Sequence, residues 1–306
     1  MLLRVIEIAQ ANRYELVTNL DIKGTTDCMM FQYTESLSGS SQKLMMISLN
    51  GTDKMRLISA PTEVISTIEC VINDFWHRGL QDSKVKEGCH QFKLKGNPWW
   101  THGEETVESR FLIGNLIAKM KSIGWEVLGT LDVSRKLQDK SVFVFRQCAP
   151  EVRPYAVLSF HETDKIRFQT NSPSSEHLTS SIEKVLEFAD KIQSKSEYGR
   201  ATQWKINGRP FSGSYGRGAE QRLMIHLLSK VLSFFKDEGW RVVASADVSA
   251  KYHKDKNSQY PLDNHSWFFL QDSGPEQSGN APIEELLIGD TADQIKNENE
   301  GICTIM

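Results

Sequence analysis

The feature that most constrains this chain is that it repeats itself. The segment GWEVLGTLDVS begins at Gly124, GWRVVASADVS at Gly239 and RYELVTNLDIK at Arg13. They align Tyr14, Trp125 and Trp240, and they align Asp21, Asp132 and Asp247, at offsets of 111 and 115 residues. Further pieces recur in the same order. TDKMR from Thr52 returns as TDKIR from Thr163, and FKLKGNPW from Phe92 returns as WKINGRPF from Trp204. A period above one hundred residues is too long for a solenoid of short motifs, so each unit is itself domain-like.

Hydrophobic spacing gives the elements of one unit. Val107, Phe111, Ile113, Leu116, Ile117 and Met120 set a helix over 106–123, stopped by Gly124. Trp125, Val127, Leu131 and Val133 then alternate with Glu126, Thr130 and Asp132, as in a strand with one buried face. SVFVF at 141–145 is apolar on both faces and reads as a central strand. YAVLSF and KIRFQT flank His161–Asp164 as a hairpin, and the first copy has Asn50-Gly51 at the matching turn. A second helical stripe, from Leu178 to Ile192, predicts a helix over 175–194, followed by a strand at QWKING. The order is strand, helix, four strands, helix.

We therefore expect an α+β fold of about two and a half repeats, with antiparallel sheets and helices on one face. The expected boundaries are 1–90 for a first repeat lacking its leading strand, 91–202 for a complete one, 203–271 for a truncated one, and 272–306 for a tail. This order is similar to one half of the TATA-box-binding protein fold, a curved antiparallel sheet backed by helices. The resemblance is one of topology; no motif of that family is matched, and its DNA binding is not implied.

Composition narrows the functional classes. A net charge of −3 over 306 residues gives no broad attraction to nucleic acid. No run approaches the roughly 18 apolar residues a spanning helix needs, and the opening MLLRVIEIAQANRYE carries Arg4 and Glu7 within a helical rhythm rather than a secretory core. We expect a cytosolic chain. Cys28, Cys70, Cys89, Cys148 and Cys303 are widely spaced without a C-x-x-C pair, so reduced and, Cys303 apart, mostly buried thiols are expected, with no metal or other cofactor.

Several residue groups invite a chemical reading. The aligned Asp21, Asp132 and Asp247 sit in different repeats and read as strand ends bonded to turns. Lys54 with Arg56, and Lys165 with Arg167, place two cations on one strand side and could share an anion; the other reading is a solvated strand face. SGSYGRGAEQR holds Gly213, Gly216 and Gly218 ahead of a helix, where backbone N–H groups could cradle phosphate, although it is neither G-x-G-x-x-G nor a Walker loop. Trp99, Trp100 and Phe211 follow Gly-x-Pro turns and are expected to close the core. No Ser–His–Asp or Cys–His arrangement emerges.

The tail differs in kind. Residues 272–302 carry eight acidic residues against Lys296 and few apolar ones, which favours disorder. One stretch, PIEELLIG from Pro282, has the pattern of a short helix. The final Cys303-Thr304-Ile305-Met306 resembles the CaaX box of prenylated eukaryotic proteins, with Thr304 departing from the aliphatic pattern and Met306 of the farnesyl type. That resemblance implies an S-farnesyl group on Cys303, removal of Thr304, Ile305 and Met306, and methylation of the new carboxyl, through the prenylation machinery. We expect a non-enzymatic binding or scaffold protein with an unknown protein partner, peripheral on the cytoplasmic face of a membrane, with no nucleic acid as ligand. The alternative is a ligand-binding or enzymatic protein with a pocket between repeats near Gly213–Gly218.

Overall fold

A computed structural model describes residues 2–21, 27–35, 42–132, 140–211, 218–249, 252–255, 258–261 and 263–272. The chain opens with helix α1 (Leu2–Ala11) and the hairpin β1 (Tyr14–Asp21) and β2 (Asp27–Tyr33). Next come β3 (Leu44–Asn50), β4 (Lys54–Ile58), α2 (Thr62–Phe75), β5 (Leu80–Lys86), β6 (Cys89–Leu94), α3 (Glu105–Ser122), β7 (Trp125–Leu131) and β8 (Val142–Gln147). The same series returns as β9 (Tyr155–His161), β10 (Lys165–Thr170), α4 (Ser175–Phe188), β11 (Ile192–Tyr198), β12 (Ala201–Ile206), α5 (Gly218–Asp237) and β13 (Trp240–Ala246). A small hairpin, β14 (Tyr252–Asp255) and β15 (Ser258–Pro261), precedes the last strand, β16 (Asp263–Gln271).

Each series closes one six-stranded antiparallel sheet. Sheet 1 runs β5-β6-β4-β3-β8-β7 and sheet 2 runs β11-β12-β10-β9-β16-β13. The α+β class, the repeat and the antiparallel pairing are as the sequence leads one to expect. The phase of the repeat is different. The expected boundaries after residues 90 and 202 cut through β6 and β12. The four strands read as consecutive are β7, β8, β9 and β10, and they divide between two sheets. A period has no origin; only pairing sets one.

Why the layers stack can be read from the strands. β3 and β8 are apolar on both faces. Met45, Ile47, Phe143 and Phe145 enter a core shared with α2 and α3, while Leu44, Met46, Val142 and Val144 enter a second core with Leu3, Ile6 and Leu16. β9 does the same: Tyr155 and Val157 face the core holding α3, and Ala156, Leu158 and Phe160 face the core holding α4 and α5. The result alternates hairpin β1–β2, α1, sheet 1, α2 with α3, sheet 2, and α4 with α5. Helix α3 is therefore buried on nearly every side, down to Arg110, Asn115 and Lys121. Its counterpart α5 ends the stack, and Ile225, which aligns with Arg110, is exposed.

The joint between α3 and sheet 2 is close. A Cβ on Gly114 would lie 2.5 Å from Tyr155 Cδ2 and nearer still to Cε2. Asn115 Nδ2 donates to the Tyr155 hydroxyl at 3.0 Å, and burial pushes that phenol well above its ordinary pKa. At the other end, Thr130 Oγ1 donates to Ser245 O at 2.7 Å, Ser141 N donates to Asp247 O at 3.1 Å, and Lys140 pairs with Asp247 at 2.9 Å.

Three hairpins share one irregularity. Pairing slips by one residue at Val17 in β1, Leu128 in β7 and Val243 in β13. The expected simple alternation from Trp125 to Val133 therefore resets at Leu128, as a β-bulge requires. Two other expectations change. Helix α4 ends at Phe188, Asp190 takes a positive φ of 50°, and Ile192 opens a strand instead of closing the helical stripe. That strand, β11 (IQSKSEY), and its counterpart β5 are polar sheet edges exposed on both faces, so no hydrophobic rhythm announces them. The described cysteines are also not buried: Cys28 and Cys70 are exposed, Cys89 and Cys148 half-buried, and all four are free. Burial and nearby carboxylates push the Cys148 thiol up, which makes it a poor nucleophile.

A charged network ties the first hairpin to sheet 1. Arg146 reaches Glu126 at 2.7 Å and Glu15 at 2.5 Å, and Lys121 reaches Glu126 and Glu151 at 3.1 Å each. Burial alone would raise the Glu126 carboxyl, but hydrogen bonds from Arg146 and Lys121 hold it below its ordinary value. A carboxylate depressed in the folded state stabilises the fold above the unfolded pKa of about 4.3 and loses that contribution as pH falls through the folded value. We predict that the urea midpoint of the full chain holds from neutral pH down to about 5 and then falls. Glu126→Gln should start lower at neutral pH and show a shallower acid decline; an identical slope would remove Glu126 as the titrating group.

Candidate functional site

The cations singled out by the sequence lie on the faces of β4 and β10 that point away from their own helices. Alternation explains it: Met55 and Leu57 enter the α2–α3 core while Lys54 and Arg56 point outward, and Ile166 and Phe168 enter the α4–α5 core while Lys165 and Arg167 point outward. In each sheet the arginine meets a glutamine on the neighbouring strand. Arg56 Nε donates to Gln91 Oε1 at 3.0 Å, and Arg167 Nε donates to Gln203 Oε1 at 2.8 Å.

The two copies differ in their cover. Arg167 is only 5% exposed because α3 lies over it. Its guanidinium donates to Thr106 Oγ1 at 2.7 Å and to His161 Nδ1 at 3.2 Å, and it stacks 3.9 Å over the Tyr198 ring. Since arginine only donates, Nδ1 of His161 must accept; its Nε2–H then donates to Ser159 Oγ at 2.9 Å. The set is a closed polar layer inside the joint. Nearby, Arg110 Nε donates to Ser266 Oγ at 2.8 Å, and Thr101 and Ser249 share a 2.6 Å hydroxyl contact. Arg56, by contrast, is only half-buried.

The four cations that could have shared an anion are divided between two sheets. Lys165 is paired with Glu162 at 2.6 Å, and Lys54 offers its carbonyl to Trp99 Nε1 at 2.9 Å. Of the glycine loop, Gly213 and Gly216 lie outside the described residues. Gly218 opens α5, which packs on the opposite face of sheet 2 from Arg167. Beside that helix start is an apolar hollow of about 340 Å³ lined by Phe160, Pro210, Phe211 and Met224, with no aspartate in its wall. Asp247 instead binds Lys140, Asp132 follows the end of β7, and Asp21 ends β1, so the three stay on separate hairpins. Trp99 is fully buried, Phe211 packs against the α4–α5 core, and Trp100 is half-buried.

A polar hollow of about 540 Å³ lies between α4 and the β10–β12 side of sheet 2. Its cations are neutralised in place: Lys195 by Glu183 at 2.6 Å and Arg200 by Glu108 at 3.1 Å, with Arg200 also 4.4 Å over the Phe111 ring. Among the described residues, no three His, Cys, Asp or Glu side chains are grouped to hold a metal. No helix among them is long and apolar enough to cross a membrane. Cys303 and its following residues lie outside the described residues. Sequence reasoning missed the glutamines Gln91 and Gln203; their signal is the match of QFKLKG to QWKING.

Fold and site together define a tandem-repeat α+β protein in which the core around α2 and α3 joins two sheets. The model of an uncharacterised domain family matches the chain twice, over residues 43–146 and 154–270, and the chain belongs to that family. Those limits coincide with the two six-stranded sheets. No curated protein and no solved structure matches the chain.

Proposed function

We propose that this is a non-enzymatic binding or scaffold protein held weakly at the cytoplasmic face of a membrane by a farnesyl group on Cys303. The observation that carries the reading is the tetrapeptide Cys303-Thr304-Ile305-Met306, read with Met306 as the terminal residue, behind a stretch of acidic, apolar-poor composition. The body supports it in a general way: Arg110, Thr130 and Arg167 are spent on joining layers. The prenylation machinery would join the Cys303 thiolate to the farnesyl carbon of farnesyl diphosphate with loss of diphosphate; proteolysis then removes Thr304 to Met306 and the new carboxyl is methylated.

The consequence is bounded by physics. One lipid chain gives marginal, reversible binding, and stable anchoring takes a second signal. Residues 272–306 offer neither a basic run nor a second cysteine, and their acidic charge is repelled by an anionic leaflet. Association should therefore exchange readily, or a partner should shelter the lipid. The test is mass spectrometry of the C-terminal peptide from the full chain expressed in eukaryotic cells, with fractionation of wild type against Cys303→Ser. A methylated, farnesylated peptide ending at Cys303 and a shift of the variant to the soluble fraction are expected. An unmodified Cys303 with Thr304 to Met306 retained, or an unchanged distribution, overturns the reading.

A further inference from the structure

We propose that the apolar hollow beside the start of α5 is a docking site for this chain's own segment 282–289 (PIEELLIG), which sets Ile283, Leu286 and Leu287 against Phe211 and Ile225. The inference rests on the body and on the residues soon after β16, and it is independent of the lipid.

The hollow is a difference between the two units. Phe160, Pro210, Phe211, Met224, Ile225 and Leu228 wall a space of about 340 Å³, near the lower end of small binding clefts. The Phe160 ring lies 5.3 Å from that of Phe211 and 5.0 Å from that of Trp267, so one wall is aromatic. Alignment places Phe211 with Trp99, Met224 with Ser109 and Ile225 with Arg110. In the first unit that place is filled. Trp99, Ser109 and Arg110 are buried there, and Ser109 Oγ donates to Pro98 O at 2.7 Å. In the second unit a smaller ring stands for the tryptophan, no hydroxyl reaches the turn, and Ile225 is 67% exposed. Spacing of three and four puts Gln221, Met224, Ile225 and Leu228 on one face of α5.

The chain supplies an occupant within reach. Asp272 N donates to Gly239 O at 2.6 Å, so the chain leaves β16 beside the C-terminal end of α5. Twelve helical positions separate Asp237 from Ile225, roughly 18 Å at 1.5 Å per residue. Residues 273–281 (SGPEQSGNA) have the composition of a linker. A Gly- and Ser-rich chain with the ten residue steps from Asp272 to Pro282 spans roughly 17 Å on average and about 34 Å at full stretch. Mean length and span match, which is where a tether gives its highest effective concentration. Ile283, Leu286 and Leu287 fall on one face of the short helix that Pro282 and the following glutamates favour. Glu284 and Glu285 are opposite in sign to Arg209 and Arg222, the exposed chain neighbours of Pro210 and Gln221.

Other occupants fit less well. Among the described residues, Ile225 is the only large hydrophobic side chain exposed on α5, whereas a stable interface between copies buries about 800 Å² on each. The loop 212–217 (SGSYGR) has one aromatic, Tyr215, and no aliphatic residue.

The test is hydrogen–deuterium exchange, read by mass spectrometry, on the full chain carrying Cys303→Ser at two protein concentrations. We expect the amides of 283–288 to exchange at least threefold more slowly than in the free peptide of that sequence, equally at both concentrations. Ile225→Lys should return them to the peptide rate, and Leu286→Ser with Leu287→Ser should bring them to the rate of its own matching peptide. Val85→Lys, at an exposed site on β5, should leave them slow. Circular dichroism verifies that each variant is folded. Peptide-rate exchange at 283–288, slow exchange that Ile225→Lys does not relieve, or protection found at 212–217 or 302–306 in its place overturns the proposal. Protection that grows with concentration assigns the hollow to a second copy and also overturns it.

Discussion

Gly114→Leu is expected to lower the unfolding free energy by about 3 kcal/mol, the upper end of the usual cost of overpacking a tight core. The reason lies in the α3–sheet 2 joint. Gly114 sits in the middle of a helix, where glycine is itself unfavourable by roughly 1 kcal/mol, and the Tyr155 ring occupies the space a side chain would take. A Cβ there would lie 2.5 Å from Cδ2 and 3.0 Å from Cζ. Neither partner can retreat, because Tyr155 is 1% exposed and its hydroxyl is held by Asn115. The first joint solves the same contact with the opposite volumes. Leu3 aligns with Gly114 and Leu44 with Tyr155, and both leucines lie in one core. The double variant Gly114→Leu, Tyr155→Leu imitates that pairing and should recover most of the loss, with a coupling of about 2 kcal/mol in a double-mutant cycle. Urea midpoints at unchanged m-value are the measurement; additive effects would show that the two joints are not equivalent.

Arg110→Ala should cost a similar amount, about 3 kcal/mol, for a different reason. Arg110 is 1% exposed and donates to Ser266 Oγ and Thr106 O at 2.8 Å and to Ser249 O at 3.3 Å. Removing it opens a cavity and strands acceptors contributed by both units. Arg110→Met refills most of the volume without satisfying an acceptor, so it should fall between Ala and wild type. If Met equals wild type, the hydrogen bonds across the joint contribute nothing net. Equality of Met and Ala would mean that volume contributes nothing. Ile225, the aligned residue of α5, faces solvent, so Ile225→Ala should be nearly neutral in the same assay.

The elements that sequence made legible are those with a strong local rhythm. Helix α3 spans Glu105–Ser122 against the expected 106–123, Gly124 stops it at a φ of 85°, and the β9–β10 hairpin pairs Lys165 with His161 as the turn residues suggest. Strands β5 and β11 were invisible because an edge strand with both faces in water needs no apolar alternation. The basic pairs were visible as a pattern, but their environments were not. Arg56 and Arg167 have similar neighbours along the chain and each meets a glutamine across the sheet. Arg167 is sealed by Thr106, Tyr198 and a helix from the preceding unit, and Arg56 is not.

By itself, then, the sequence determined that the chain is built from recurring helices and antiparallel hairpins, because periodicity and turn residues act within a few positions. It also carries Cys303-Thr304-Ile305-Met306, whose resemblance to a CaaX box is local and needs no fold. Only the tertiary structure decided where one unit ends and the next begins, because strand pairing joins residues far apart and a repeat can be cut at any phase. The same long-range packing made α3 serve two sheets. Whether a helix face, an arginine or a strand edge is buried depends on the neighbouring unit, and no local pattern records that neighbour.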